Sequence, residues 1–151
     1  MSTMPALSEE WAAPEAPETG ALVELVHPMI GFEASSRYVI RPLGGEFGAY
    51  ALMTSVEVNG LTFVVVPPGV LYPDYRFEIA DGDVALLGLT EAADVETWVV
   101  ITRKGVPVPT ANLLGPIVVN RRTRAGAQLV LQDSGYEVAV PVNAGTAHPP
   151  A

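Results

Sequence analysis

Hydrophobic residues in this chain come in short, β-branched runs that glycine and proline cut apart, and that pattern decides most of what it can fold into. The runs lie at residues 21–26, 37–43, 49–54, 61–66, 95–102, 117–120, 128–131 and 136–140. Valine and isoleucine fit a pleated, half-buried surface, while proline cannot donate to a strand ladder. Residues 74–79 alternate, with Tyr75, Phe77 and Ile79 on one side and Asp74, Arg76 and Glu78 on the other. A period of two is what a strand with one buried face requires. Asn59-Gly60 stands between two runs and predicts a tight hairpin. Helix is scarce. Asp81 or Asp83 can cap a short one over residues 84–89, and Thr90 a single turn over residues 91–94. Many short strands separated in this way predict a mainly β domain, an antiparallel barrel or sandwich with one or two short helices.

The segment TANLLGPIVVN at residues 110–120 is uncharged, with polar residues at fixed places among apolar ones. Asn112, three residues before Gly115, is placed to bond the turn backbone through its side chain. Pro116 suits the entry to a strand but not its ladder. The segment therefore reads as a turn followed by a buried strand ending at Asn120.

At 151 residues the chain is expected to form one domain. It has no cysteine, which excludes disulfides, thiol catalysis and cysteine metal sites. Residues 1–20 hold four glutamates, three prolines and no basic residue. That is the wrong charge for a signal peptide, and the segment reads as a disordered acidic, Pro-rich tail. Residues 143–151 read as a second disordered tail, leaving a folded domain at residues 21–142. No apolar run approaches the roughly 20 residues that span a bilayer, so no membrane partner and a cytoplasmic location are expected.

Net charge is −9, unevenly spread. A dense acidic stretch runs through Asp74, Glu78, Asp81, Asp83, Glu91, Asp94 and Glu96, with only Arg76 to offset it. Such a stretch is read either as a solvated face or as a surface that steers a basic partner. Direct binding of nucleic acid is disfavoured, since phosphates are repelled.

Catalytic equipment is thin. His148 falls in the C-terminal tail, and His27 stands alone before Pro28. There is no Gly-x-Ser-x-Gly elbow, no zinc ligand set and no phosphate-cradling glycine loop. Asp81-Gly-Asp83 lacks the ligand series of a calcium loop. No cofactor, no metal and no enzyme activity are expected. Binding equipment is better. Tyr72, Tyr75 and Phe77 lie among the charges of Asp74, Arg76 and Glu78, and aromatic and arginine side chains dominate many interfaces. The alternative is that Tyr75 and Phe77 fill the core while Tyr72 lies on a loop.

Several segments, in order and in register, resemble the FliW flagellar assembly factors. Residues 110–120 resemble the family's T-x-N-L-L-x-P-I-V-I-N signature. PMIGFE at 28–33 is similar to its G-x-P-G-F-E, GLTFVVVP at 60–67 to its L-x-F-V-V strand, VLYPDYRF at 70–77 to its aromatic block, and QLVL at 128–131 to its Q-V-V-L strand followed by Tyr136. The resemblance spans residues 21–142. It departs at Arg76, where the family is usually acidic, and at residues 52–55, which lack the family's glutamine. It implies a compact antiparallel β-barrel-like fold and a non-catalytic protein, expected to be a monomer when free. Two partners are implied: a CsrA-type RNA-binding translational repressor, and newly made flagellin near its helical C-terminal region. Competition between them would couple flagellin synthesis to filament assembly. The expected partner surface is Phe63, Tyr72, Asp74, Tyr75, Arg76 and Glu78, with Leu113 and Leu114 nearby. Asn112, Pro116, Asn120 and Gln128 are expected to be structural. Two other readings stand beside this one: a small β-barrel enzyme or ligand carrier with a pocket near His27, and a flagellin chaperone without CsrA.

Overall fold

The computed structural model describes residues 4–7 and 20–148. Strand β1 is Met4–Leu7, β2 Ala21–Leu25, β3 Arg37–Pro42, β4 Ala51–Ser55 and β5 Thr62–Val66. Helix α1 (Pro68–Leu71), β6 (Arg76–Ile79) and helix α2 (Asp81–Leu86) follow. The chain continues through β7 (Val95–Thr102), β8 (Thr110–Ala111), β9 (Ile117–Asn120), β10 (Ala125–Gln128) and β11 (Val140–Pro141).

The architecture is mainly β, and seven strands close into a barrel. Neighbours run β7-β5-β4-β3-β2-β10-β9, and β9 pairs back onto β7, with Trp98 opposite Ile117. All these pairings are antiparallel except β2 with β10, which is parallel. The strands β4 and β5 form the hairpin that Asn59-Gly60 predicts, with Gly60 at φ 86°. The parallel contact is tight. A Cβ on Gly126 would stand 3.1 Å from the Val118 carbonyl and 3.1 Å from a Val23 methyl, so any larger residue would press on both neighbouring strands.

Two apolar cores share one wall. The barrel interior holds Val23, Leu25, Tyr38, Ile40, Met53, Val65, Trp98, Ile117 and Val119. The second core lies outside the β5, β7, β9 and β10 wall, where Val66, Val99, Ile101 and Val118 meet Tyr72, Tyr75, Ile79, Leu87 and Leu113. Strand β7 is thus buried on both faces. This explains why its centre, Trp98 to Ile101, is a continuous apolar run rather than an alternating one.

Five expectations are corrected by this architecture. The strand expected at 128–131 lies instead at Ala125–Gln128, because Gly126 and Ala127 are the small residues that fit beside β2. The run at 136–140 contributes only Val140 to a ladder; Tyr136 is spent on side-chain bonds. Helix α2 begins at Asp81 with Ala80 as its N-cap, and no side chain caps it. Thr90 does not cap the following turn; its hydroxyl and N–H donate to Asp94 Oδ2 (2.9 and 3.2 Å). Both expected tails are ordered in part. Met4–Leu7 pairs antiparallel with β6, and Ala147 is buried. The remainder of residues 1–19, and 149–151, lie outside the described residues.

Candidate partner-binding surface

The segment at residues 72–79 lies on the second core, with alternate side chains turned in and out. Tyr72 and Tyr75 are 0% and 1% exposed, and Ile79 is equally enclosed. Asp74, Arg76 and Glu78 are exposed. The inward residues anchor this face to the rest of the fold through hydroxyl groups. Tyr72 Oη donates toward the carbonyls of Val140 (3.0 Å) and Pro141 (3.1 Å). Tyr75 Oη donates to the Leu113 carbonyl at 2.6 Å. Burial holds both phenols neutral: that of Tyr72 is pushed up to about 12, with Tyr50 adding to the effect. Tyr75 is pushed higher still, with Tyr136 adding to it.

The outward face is fixed by the C-terminal segment. Tyr136 Oη donates to the Arg76 carbonyl (2.7 Å) and accepts from the Arg76 N–H (3.0 Å). Its ring meets Tyr75 edge-on at 4.7 Å and stacks on His148 at 4.3 Å. The Asp74 carboxylate accepts the Ala147 N–H at 2.8 and 2.9 Å. His148, expected to be loose, is therefore held against the same surface.

Beneath it lies the 110–120 segment. Asn112 Oδ1 accepts the Gly115 N–H (2.9 Å), the expected turn bond, and Gln128 Nε2 donates to the Gly115 carbonyl (3.1 Å). A Cβ on Gly115 would stand 3.0 Å from that Gln128 nitrogen and 3.1 Å from Asn112 Nδ2, so a larger residue would crowd both polar side chains. Pro116 is buried ahead of β9, and its carbonyl accepts the Leu129 N–H (2.8 Å). Asn120 is fully buried. Its Nδ2 donates to Leu87 O (2.9 Å), and its Oδ1 accepts the Arg122 N–H (2.9 Å). It thereby joins the end of α2 to the β9–β10 turn.

The structure brings together only part of the surface expected from the sequence. Asp74, Arg76 and Glu78 form an exposed group, with Leu114 half-buried. Tyr72, Tyr75 and Leu113 are corrected from contact residues to supporting ones, because full burial leaves them nothing to present. Phe63 is separated from the group. It shares the inward face of β5 with Val65 and packs edge-on against Phe32 at 5.0 Å, beside Tyr38. The acidic stretch is also shorter than expected. Asp94 and Glu96 are buried. Glu96, 3% exposed, accepts from both terminal nitrogens of Arg124 (3.0 and 3.3 Å) and from Trp98 Nε1 (2.7 Å). Asp94 is held below the usual carboxylate range by the N–H and hydroxyl of Thr90, with Arg122 at 3.5 Å adding to it.

Sequence reading missed a polar cluster at the start of β3. The Glu57 carboxylate accepts the N–H groups of Ser36 and Arg37 and the Ser36 hydroxyl, at 3.1–3.3 Å. Desolvation works against its charge, yet these donors prevail and lower its pKa to about 2. The only signal in the sequence is a glutamate two residues past the end of β4. Among the described residues, no helix is long and apolar enough to cross a membrane.

Comparison with known proteins places this geometry. The family model described as FliW protein matches residues 12–142. The flagellar assembly factor FliW of Bacillus licheniformis is 37% identical over 113 residues, covering 74% of this chain and 78% of the relative. That of Bacillus subtilis is 34% identical over 113 residues, with the same coverage of 74% and 78%. A crystal structure of the flagellar assembly factor FliW superposes with a TM-score of 0.72 at 26% identity, over 85% of this chain and 89% of that one.

Proposed function

The chain belongs to the FliW family of flagellar assembly factors, and we propose that it acts in the cytoplasm by binding two polypeptides in turn, a CsrA-type RNA-binding repressor and flagellin. In this reading flagellin draws the protein away from the repressor. Synthesis of filament subunits then follows their export. The observation that carries the reading is the exposed group Asp74, Arg76 and Glu78, mounted on buried tyrosines that keep it in one geometry. Its two carboxylates suit a repressor that contacts RNA through basic side chains. Opposite charges raise the rate of encounter more than the final affinity.

The test is charge reversal at Glu78, whose side chain is exposed. Glu78→Lys is expected to slow association with CsrA and to flatten its salt dependence while the melting temperature holds. Association kinetics that match the parent at both low and high salt would remove this surface from the reading. Asp74→Lys is expected to act in the same direction, with some loss of stability because it also releases the Ala147 N–H.

A further inference from the structure

We propose that β1 is a removable strap: it occupies the edge of β6 in the free protein and gives way to an extended segment of a partner polypeptide. The inference rests on the proposed function and adds a docking mode to it.

Among the described residues the ladder partner of β6 is β1 alone, in a two-stranded sheet apart from the barrel. The register places Met4 opposite Ile79, Pro5 opposite Glu78, Ala6 opposite Phe77 and Leu7 opposite Arg76. Both main-chain groups of Arg76 face the Tyr136 hydroxyl on the other edge. In an antiparallel ladder the bonded pairs alternate, so β1 is bonded through Phe77 and Ile79. Two residue pairs are a short hold for a four-residue strand.

The composition of β1 weakens the hold further. Pro5 carries no charge, yet it lies opposite Glu78, whose carboxylate is exposed. The sequence that follows is acidic, with Glu9, Glu10, Glu15 and Glu18, and so has no charge complementary to the exposed Glu78. An incoming strand with lysine or arginine at the Pro5 position would satisfy the same backbone groups and add a cross-strand ion pair. Main-chain bonding to an open sheet edge, with side chains setting the choice of partner, is a recurring way of recognising extended segments. The occupant so defined is an extended, basic stretch of polypeptide.

The chain has no cysteine, so a single engineered bridge can lock the strap. Leu7 and Arg76 form a non-bonded pair, whose Cα separation of about 4.5 Å suits a disulfide. Leu7→Cys with Arg76→Cys is titrated with CsrA and with flagellin, oxidised and reduced. Loss of at least tenfold in affinity for one partner on oxidation, restored by reduction, is expected. Equal affinity in the two states would overturn the strap, as would failure of the bridge to form. If the natural chain and the reduced variant bind neither partner, the proposed function is what fails. The strap is then decided by amide exchange in the free natural chain. Phe77 and Ile79 are expected to exchange at least a hundredfold faster than Val65 and Val99, and equal protection would overturn it.

Discussion

The phenol of Tyr75 reaches the main-chain carbonyl of Leu113 at 2.6 Å, with both residues enclosed. One bond thus ties the strand bearing the exposed charges to the uncharged turn beneath it. Tyr75→Phe keeps the ring and leaves that carbonyl without a donor. The expected cost is about 1–3 kcal/mol, read from urea unfolding. A loss below the error of the measurement would mean that the carbonyl finds another donor.

Asn112→Ala removes the acceptor of the Gly115 N–H. The same range of about 1–3 kcal/mol is expected, seen as a lower melting temperature. Partner affinity measured well below that temperature is expected to stay within twofold. An unaltered melting temperature with lost binding would make Asn112 a contact residue instead.

The Glu96–Arg124 pair gives an ordering. Arg124→Gln leaves a carboxylate inside the barrel with only the Trp98 N–H, and a cost of about 3–5 kcal/mol is expected. Glu96→Gln is expected to cost less, because Arg124 is partly open to solvent and can turn its charge to water. Denaturation of the two variants side by side checks the order. The positive φ of 67° at Arg124 is common to glutamine and arginine there, so it does not bias the comparison.

Stability should fall at both ends of the pH scale. Glu57 is lowered from 4.5 to about 2 in the fold. Its contribution is therefore complete above pH 4.5 and lost as pH falls toward 2. Tyr72 is raised from 10 to about 12, so its contribution is complete below pH 10 and lost as pH rises toward 12. Glu57→Gln is expected to flatten the acid limb of a melting-temperature profile, and Tyr72→Phe the alkaline limb. A profile in either variant with the parent's slope would assign that limb to other groups.

The strands that alternate or that lack charge were legible in the sequence, from residues 37–43 to the strand ending at Asn120. So was the placing of Tyr75, Phe77 and Ile79 on one face, although Tyr75 was expected to meet a partner and is buried instead. What stayed hidden was which charges meet inside. Glu96 reads as one more acid in an acidic stretch, and its partner Arg124 lies 28 residues on, across the barrel. Gly126 serves a close approach of neighbouring strands, which no local pattern signals. Tyr72 was open because one aromatic on a loop looks alike whether it faces water or a pair of distant carbonyls, here those of Val140 and Pro141.

Strand β7 forms ladders with β5, β8 and β9 and turns one face to each apolar core. Barrel and outer layer therefore have a party wall, and neither can melt while its neighbour stands. Heat or denaturant should dismantle both in a single cooperative step; in a Trp11→Phe, Tyr38→Phe background, Trp98 fluorescence inside and the absorbance of the remaining tyrosines should report the same midpoint.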